Sequence, residues 1–312
     1  MAQVDVIIPL YNKESTVKRA IESIQRQTFT DWNIIAVNDG STDKSADVVN
    51  RLNEAKIKLI HQENKGPGAA RNRGIELAES EYVAFLDADD EWLPEYLENS
   101  IKALRENDVA MVSSMYFEWP KKLDTTKRWA ERGIVPGKYS ITKDTDPVFA
   151  DWAISFLHVW NTVLKNSEAR KYGSFYEQCN FAEDTIFFFK MALYLEFYII
   201  ALPSVIHHKE NSELAKSLRR PLAPFFENPE IILDYCPEDK KKLCRDVITH
   251  IALRTAKNLA RAGLKKQAKG LLESMPGAKT FSKEYEVCTY TIKFSKTLAL
   301  WVKFKCFIAK FL

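Results

Sequence analysis

Apolar residues along the first 120 positions fall into short runs separated by amphipathic stretches. Val4–Leu10 is rich in β-branched residues. After Tyr11 and Asn12 comes Ser15, a suitable N-cap, and Val17, Ala20, Ile21 and Ile24 then recur at helical spacing. The pattern predicts a strand and then a helix. It repeats: Asn33–Val37 predicts a strand with a helix after Ser41, Ile57–His61 a strand with a helix after Gly66-Pro67-Gly68, and Tyr82–Leu86 a strand with a helix from about Pro94. Val109–Tyr116 predicts a further strand. Alternation at this spacing implies βαβ crossovers and an α/β fold, a mostly parallel sheet with flanking helices, with ligands beyond the carboxyl ends of the strands.

The later chain is less regular. Residues 118–180 are aperiodic and rich in Trp and Lys, as a substrate-shaping insertion would be; Phe181–Tyr198 resumes a helical pattern, and Phe197–Ile206 predicts another strand. Pro221, Pro224, Pro229 and Pro237 mark a connector before a helical C-terminal region. There Asp239–Ala262 and Leu264–Met275 predict a helix pair and Tyr285–Leu312 a final amphipathic helix. The expected domains are 1–220, with halves of about 1–117 and 118–220, and 221–312.

Composition removes several classes. With 312 residues, 46% of them apolar and 28% charged, the chain has material for a core and is neither disordered nor collagenous. It holds no uninterrupted apolar run of about 18 residues, as a spanning helix needs, and its N-terminus lacks the pattern of a secretory signal. Five widely spaced cysteines, never in CxxC form, argue against a disulfide framework or a cysteine zinc site. The net charge of +3 hides an asymmetry: from Glu238 onward there are 17 Lys+Arg against 6 Asp+Glu, so residues 1–237 carry −8 and the remainder +11. Such a split invites an anionic partner for the tail.

Three polar clusters follow three predicted strands, which places them at one sheet edge. Asp87-Ala88-Asp89-Asp90 sets three carboxylates within four residues, an arrangement costly unless a cation or solvent compensates it; it reads as a Mg²⁺ or Mn²⁺ site or as an acidic helix-capping turn. In Asp39-Gly40-Ser41-Thr42-Asp43 the later residues suit a turn and a cap, whereas Asp39 at the strand tip could accept hydrogen bonds from a base or ribose. Asn64-Lys65-Gly66 with Arg71-Asn72 brings backbone and positive charge near the acidic cluster, or forms a solvated basic loop. No phosphate-binding loop or GxGxxG element is present, so ATPase and dinucleotide readings lose their main support.

The runs VDVIIPLYNKESTVKRAIESIQRQTFTDWNIIAVNDGSTDKS and HQENKGPGAARNRGIELAESEYVAFLDADDEW resemble the family 2 glycosyltransferases, inverting nucleotide-sugar enzymes of GT-A fold. The resemblance covers residues 3–105 closely and reaches residue 215 more loosely. It implies that Pro9, Tyr11 and Asn12 line the nucleotide pocket, that Asp39 binds the base, typically uracil, and that Arg71 sits near the nucleotide or diphosphate; Lys65, beside it, is a further candidate for the nucleotide-sugar. Asp87-Ala88-Asp89 would be the DxD element, with Asp89 and Asp87 on a divalent cation, and Glu183-Asp184 the ED motif, with Asp184 the general base and Glu183 its neighbour or alternate. Family members often carry Gly where this chain has Ala182. His208 and Lys209 become candidates for the diphosphate or metal or, as a histidine pair at a strand end, for a structural or solvated role, and Trp152 and Trp160 for stacking on an acceptor sugar or, equally, for the core.

The function expected is metal-dependent inverting transfer from a UDP-sugar to a glycan or glycolipid acceptor in surface polysaccharide synthesis, such as lipopolysaccharide or capsule. No nucleic-acid partner is expected. A sugar-phosphate nucleotidyltransferase and a catalytically silent binding adaptor are the alternatives; the first wants a glycine-rich basic loop where Pro9-Leu10-Tyr11-Asn12 stands, and intact Asp87, Asp89 and Asp184 disfavour the second. In the tail, Lys293, Lys296, Lys303, Lys305 and Lys310 alternate with aromatic residues, which suits either an anionic membrane surface or docking on the protein itself. The expected place is the cytoplasm, peripheral on the inner face of the membrane.

Overall fold

In a computed structural model of the chain, which describes residues 2–211 and 221–293, the N-terminal runs form β1 (Val4–Leu10), α1 (Val17–Gln25), β2 (Trp32–Asp39), α2 (Ser45–Arg51), β3 (Ile57–Gln62), α3 (Pro67–Leu77) and β4 (Tyr82–Phe85). β1 pairs in parallel with both β2 and β4. A strand flanked on both sides and covered on both faces needs apolar residues throughout, and Val4, Val6, Ile7, Ile8 and Leu10 are all fully buried. α1 buries Val17, Ala20, Ile21 and Ile24, the positions whose spacing predicted it. α3 lies so close to β1 that a Cβ on Gly74 would come within 2.3 Å of Ile7 Cγ2, which explains a glycine inside that helix.

Beyond β4 come β5 (Glu91–Trp92), α4 (Tyr96–Glu106), β6 (Met111–Trp119), β7 (Leu123–Asp124), α5 (Thr126–Ala130), β8 (Gly137–Tyr139), α6 (Pro147–Phe156), β9 (Thr162–Lys165), α7 (Asn166–Tyr172), α8 (Glu183–Tyr194) and β10 (Phe197–His208). The strands join one ten-stranded sheet of order β3-β2-β1-β4-β9-β6-β10-β5, with β7 on β6 and β8 on β10. The simple alternation is interrupted here. β9 inserts antiparallel between β4 and β6, and β6 then pairs in parallel with β10. Four residues are too few for a legible period, so β9 was hidden in a region read as aperiodic. The helical pattern read through Tyr198 stops at Tyr194, and Phe197 already pairs with Met111 in the sheet.

The chain divides into two compact units, residues 1–142 with 152–221 and residues 143–151 with 222–312. The second unit holds α9 (Glu230–Leu233), α10 (Lys241–Arg261) and α11 (Lys265–Glu273), and residues 282–293 are helical. The α10–α11 pair matches the expected one. Residues 143–151, expected with the first unit, belong to the second because the buried Asp151 carboxylate bonds His250 Nδ1 at 2.7 Å and Arg254 at 2.8 Å, both on α10. The tail read as a helix to Leu312 lies outside the described residues from 294 onward. No helix among the described residues is long and apolar enough to cross a membrane.

Candidate active site

The first two polar clusters knit together at the carboxyl ends of β1, β2 and β3. Asn12, held at φ 52°, accepts from the Thr42 amide at 2.9 Å, and its own amide donates to Ser41 Oγ at 3.1 Å. The side chain expected in the nucleotide pocket thus fixes the turn after β2, leaving Tyr11 beside it 47% exposed and Pro9 half-buried. Asp39 is buried. Its Oδ1 accepts from Gln62 Nε2 at 2.8 Å and the Lys65 amide at 2.9 Å, its Oδ2 from the Gly66 amide at 2.8 Å. Asp39 therefore sets the loop entering α3, while the Lys65 side chain is exposed. Gly66 sits at φ 90°, and a Cβ there would meet Asn180 Oδ1 at 2.3 Å.

α3 aims Arg71 into the centre of the site. Its guanidinium is buried and forks, Nη2 to Asp87 Oδ1 at 2.7 Å and Nη1 to Glu183 Oε1 at 2.8 Å. Burial works against the charge, but Asp87 and Glu183 outweigh it and push the pKa above the ordinary arginine range. Burial raises the Glu183 pKa, with Arg71 opposing it. The next residue, Asn72, donates from Nδ2 to the Phe175 carbonyl at 2.9 Å and to Glu177 at 2.7 Å, so α3 also tethers the segment that leads into α8.

Each aspartate of the acidic cluster has its own partner. Asp87 has Arg71; Asp89 Oδ2 has Lys13 Nζ at 2.6 Å, with Arg19 on its carbonyl; Asp90, 1% exposed, accepts the His208 amide at 2.7 Å and faces His207 Nδ1 at 3.1 Å. Ala88 between them is buried. The compensation demanded by three clustered carboxylates is thus supplied largely from within. Among the described residues, no group of three or more His, Cys, Asp or Glu could by itself hold a metal. Asp87 and Asp89 nevertheless suit Mg²⁺ or Mn²⁺, which take one or two carboxylates and leave other positions to phosphate oxygens.

Asp184 follows Glu183 at the start of α8. Ala182, just before them, adopts φ 67° and ψ 14°, the left-handed region that accounts for glycine at this place in the resembling sequences. Asp184 Oδ1 accepts from the Thr185 amide at 2.6 Å, and His158 Nδ1 stands 3.7 Å from Oδ2. Burial would raise the Asp184 pKa, but His158 and then Arg71 outweigh it, and the net shift is downward. Glu183 is committed to Arg71, which leaves Asp184 the more accessible of the two.

The remaining candidates are packed or paired within the protein, Trp160 and Trp152 in line with the core alternative. Trp160 has His158 stacked at 4.7 Å on one side and His207 at 4.8 Å on the other, with its carbonyl accepting Trp92 Nε1, and keeps no open face for a sugar. Trp152 packs under the Arg132 guanidinium, 4.2 Å from its ring centre, and is half-buried. His208 has both ring nitrogens engaged, by Glu91 at 2.8 Å and Glu210 at 2.7 Å; burial lowers its pKa, but these carboxylates raise it on balance. Lys209 pairs with Glu118 at 2.6 Å. Sequence reasoning missed Lys13, Arg19, His158 and His207 altogether. Only His207 had a local signal, as the first of a histidine pair ending a strand.

The glycosyl transferase family 2 profile matches residues 5–193, more than half of the chain, and the chain belongs to this family. Its fold is GT-A. The chain resembles the UDP-GlcNAc complex of S. aureus TarS residues 1–349 with a TM-score of 0.68 at 17% identity, over 95% of this chain and 92% of that one. It resembles Pyrobaculum calidifontis mannosyltransferase PcManGT, in complex with GDP-Man and Mn²⁺, with a TM-score of 0.53 at 18% identity, over 97% and 88%. In sequence it is 44% identical over 109 residues to the uncharacterized glycosyltransferase YibD of Escherichia coli (strain K12), covering 34% of this chain and 32% of that protein. It is 28% identical over 181 residues to the Escherichia coli UDP-Glc:alpha-D-GlcNAc-diphosphoundecaprenol beta-1,3-glucosyltransferase WfgD, covering 53% and 70%. The chain spans about a third of the length of YibD and of other curated relatives matched at 42–45% identity.

Proposed function

We propose that this chain is an inverting glycosyltransferase that moves a sugar from a UDP-sugar to a glycan or glycolipid acceptor in surface polysaccharide synthesis. The observation that carries this reading is the Arg71 fork, which joins Asp87 of the DxD element to Glu183 beside Asp184. TarS bound to UDP-GlcNAc and WfgD, named for UDP-Glc and a diphosphoundecaprenol acceptor, support the donor and acceptor classes. Inversion needs a base that takes the proton of the acceptor hydroxyl as its oxygen attacks the anomeric carbon. Asp184, half-buried and kept ionised by a lowered pKa, is that base, and Glu183 is the counter-ion of Arg71. Tyr11, Pro9 and the Asp39 loop border the nucleotide.

Asp89 and Asp87 would hold Mg²⁺ or Mn²⁺, which supplies Lewis-acid stabilisation of the departing diphosphate. Asp184→Asn is expected to cut turnover by about 10²–10⁴-fold, the worth of a positioned base, with UDP affinity changed by less than about threefold. The test measures UDP release and thermal stabilisation with UDP-glucose, UDP-GlcNAc and GDP-mannose, with Mn²⁺ and with EDTA. Near-normal turnover by Asp184→Asn would remove the base assignment. If no nucleotide sugar is turned over or stabilises the protein, the function itself is wrong.

A further inference from the structure

The Asp184 carboxylate faces a residue that belongs to none of the motifs. His158 opens a short 3₁₀ turn, Val159–Asn161, and its amide donates to Asn161 Oδ1 at 2.9 Å. Asn161 is fully buried, with its own amide group on the carbonyls of Ser114 at 3.1 Å and Phe156 at 3.2 Å, so the backbone beneath His158 is fixed. The ring is fixed as well. It stacks on Trp160 at 4.7 Å and 18°, and the opposite face of Trp160 carries His207 at 4.8 Å and 8°. Tyr116 stands edge-on to both His158 and Trp160.

This stack spans the site. At one end His207 meets Asp90, next to the DxD element; at the other, His158 Nδ1 lies 3.7 Å from Asp184 Oδ2. We infer that His158 is a positioning residue of this site, a clamped imidazole that faces the Asp184 carboxylate and holds it in its working orientation. The inference rests on the reading of Asp184 as the base.

The charges around Asp184 leave this task to His158. On its own helix Glu183 repels it, and Cys179 lies in the turn before. From α3 Arg71 contributes, but its two terminal nitrogens are directed at Asp87 and Glu183. Tyr116 from β6 touches the His158 ring, and His207 from β10 is separated by Trp160. Of the groups that lower the Asp184 pKa against the effect of burial, His158 comes first. A carboxylate that is buried without an opposing group titrates upward.

The test is a carboxyl ¹³C NMR titration of aspartate-labelled protein, with the Asp184 signal assigned by its loss in Asp184→Asn. His158→Phe keeps a ring in the stack and removes Nδ1; His158→Gln is the second variant, should the first fold poorly. In both, the Asp184 titration is expected to move up by about one pH unit or more, while urea unfolding stays near the wild type. An unmoved Asp184 titration in both variants, with Asp184→Asn inactive, would overturn this inference alone. If Asp184→Asn keeps its turnover, the base reading falls and this inference with it.

Discussion

Arg71 shows how much one side chain decides here. Its planar fork satisfies two carboxylates, Asp87 and Glu183, that lie 96 positions apart in the chain. Removing one member of a buried ion network leaves the others uncompensated, and that costs more than the network contributes as a whole. Arg71→Met is therefore expected to destabilise the protein by about 3–5 kcal/mol, read from urea unfolding, and to abolish turnover. Arg71→Lys should fall between, since a single ammonium cannot reproduce the two-pronged geometry. Equal stability of wild type and Arg71→Met would show that Asp87 and Glu183 find other partners. The same residue illustrates a limit of sequence reading. Arg71 was legible as a cation near the acidic cluster, but its bond to Glu183 was not, because that pairing spans 112 positions and depends on how α8 is delivered.

At the scale of elements, α3 organises the site. Its entry loop is held by the Asp39 carboxylate, Gly66 leaves room for Asn180, Arg71 holds Glu183, and Asn72 holds the Phe175 carbonyl. One helix thus fixes the segment that delivers the N-terminal end of α8. The start of α8 carries local strain in return, since Ala182 occupies the left-handed region. An L-residue there costs about 1–2 kcal/mol, and glycine gives back part of this through its freer unfolded chain. Ala182→Gly is expected to stabilise by about 0.5–1 kcal/mol and to raise Tm by about 1–3 °C in calorimetry. A lowered Tm would mean that the surrounding contacts prefer the methyl group. The helices of the first half were readable because their apolar faces repeat; β9 was not, since a four-residue strand is recognisable only once its neighbours β4 and β6 are in place.

For the whole molecule, the −8 of residues 1–237 and the +11 of the remainder remain a division of charge. The acidic part includes the site, where Lys13, Arg71 and His207 already answer the clustered aspartates. We propose that the basic tail attaches the protein to an anionic membrane, each lysine contributing about 1 kcal/mol. Truncation after Lys293 is then expected to abolish sedimentation with phosphatidylglycerol vesicles, and 0.5 M salt (roughly a 4 Å screening length) should weaken it in the intact chain. Sedimentation unchanged by the truncation would refute the membrane role.

The sequence by itself determined the alternation of strands and helices, the edge of the sheet where polar residues gather, and the family. Those are written in short-range periodicity and in motifs of a few consecutive residues. Only the tertiary structure decided which carboxylate meets which cation, that Asp39 and Asn12 fix loops, that Trp160 is sealed between two imidazoles, and that His158 faces Asp184. Most of these are contacts between segments distant in sequence: Asp39 and Asn12 meet their partners through the parallel pairing of β1, β2 and β3, and Arg71 and His158 meet Glu183 and Asp184 through the delivery of α8. Charge and ring pairing follow distance in space, which no local pattern along the chain records.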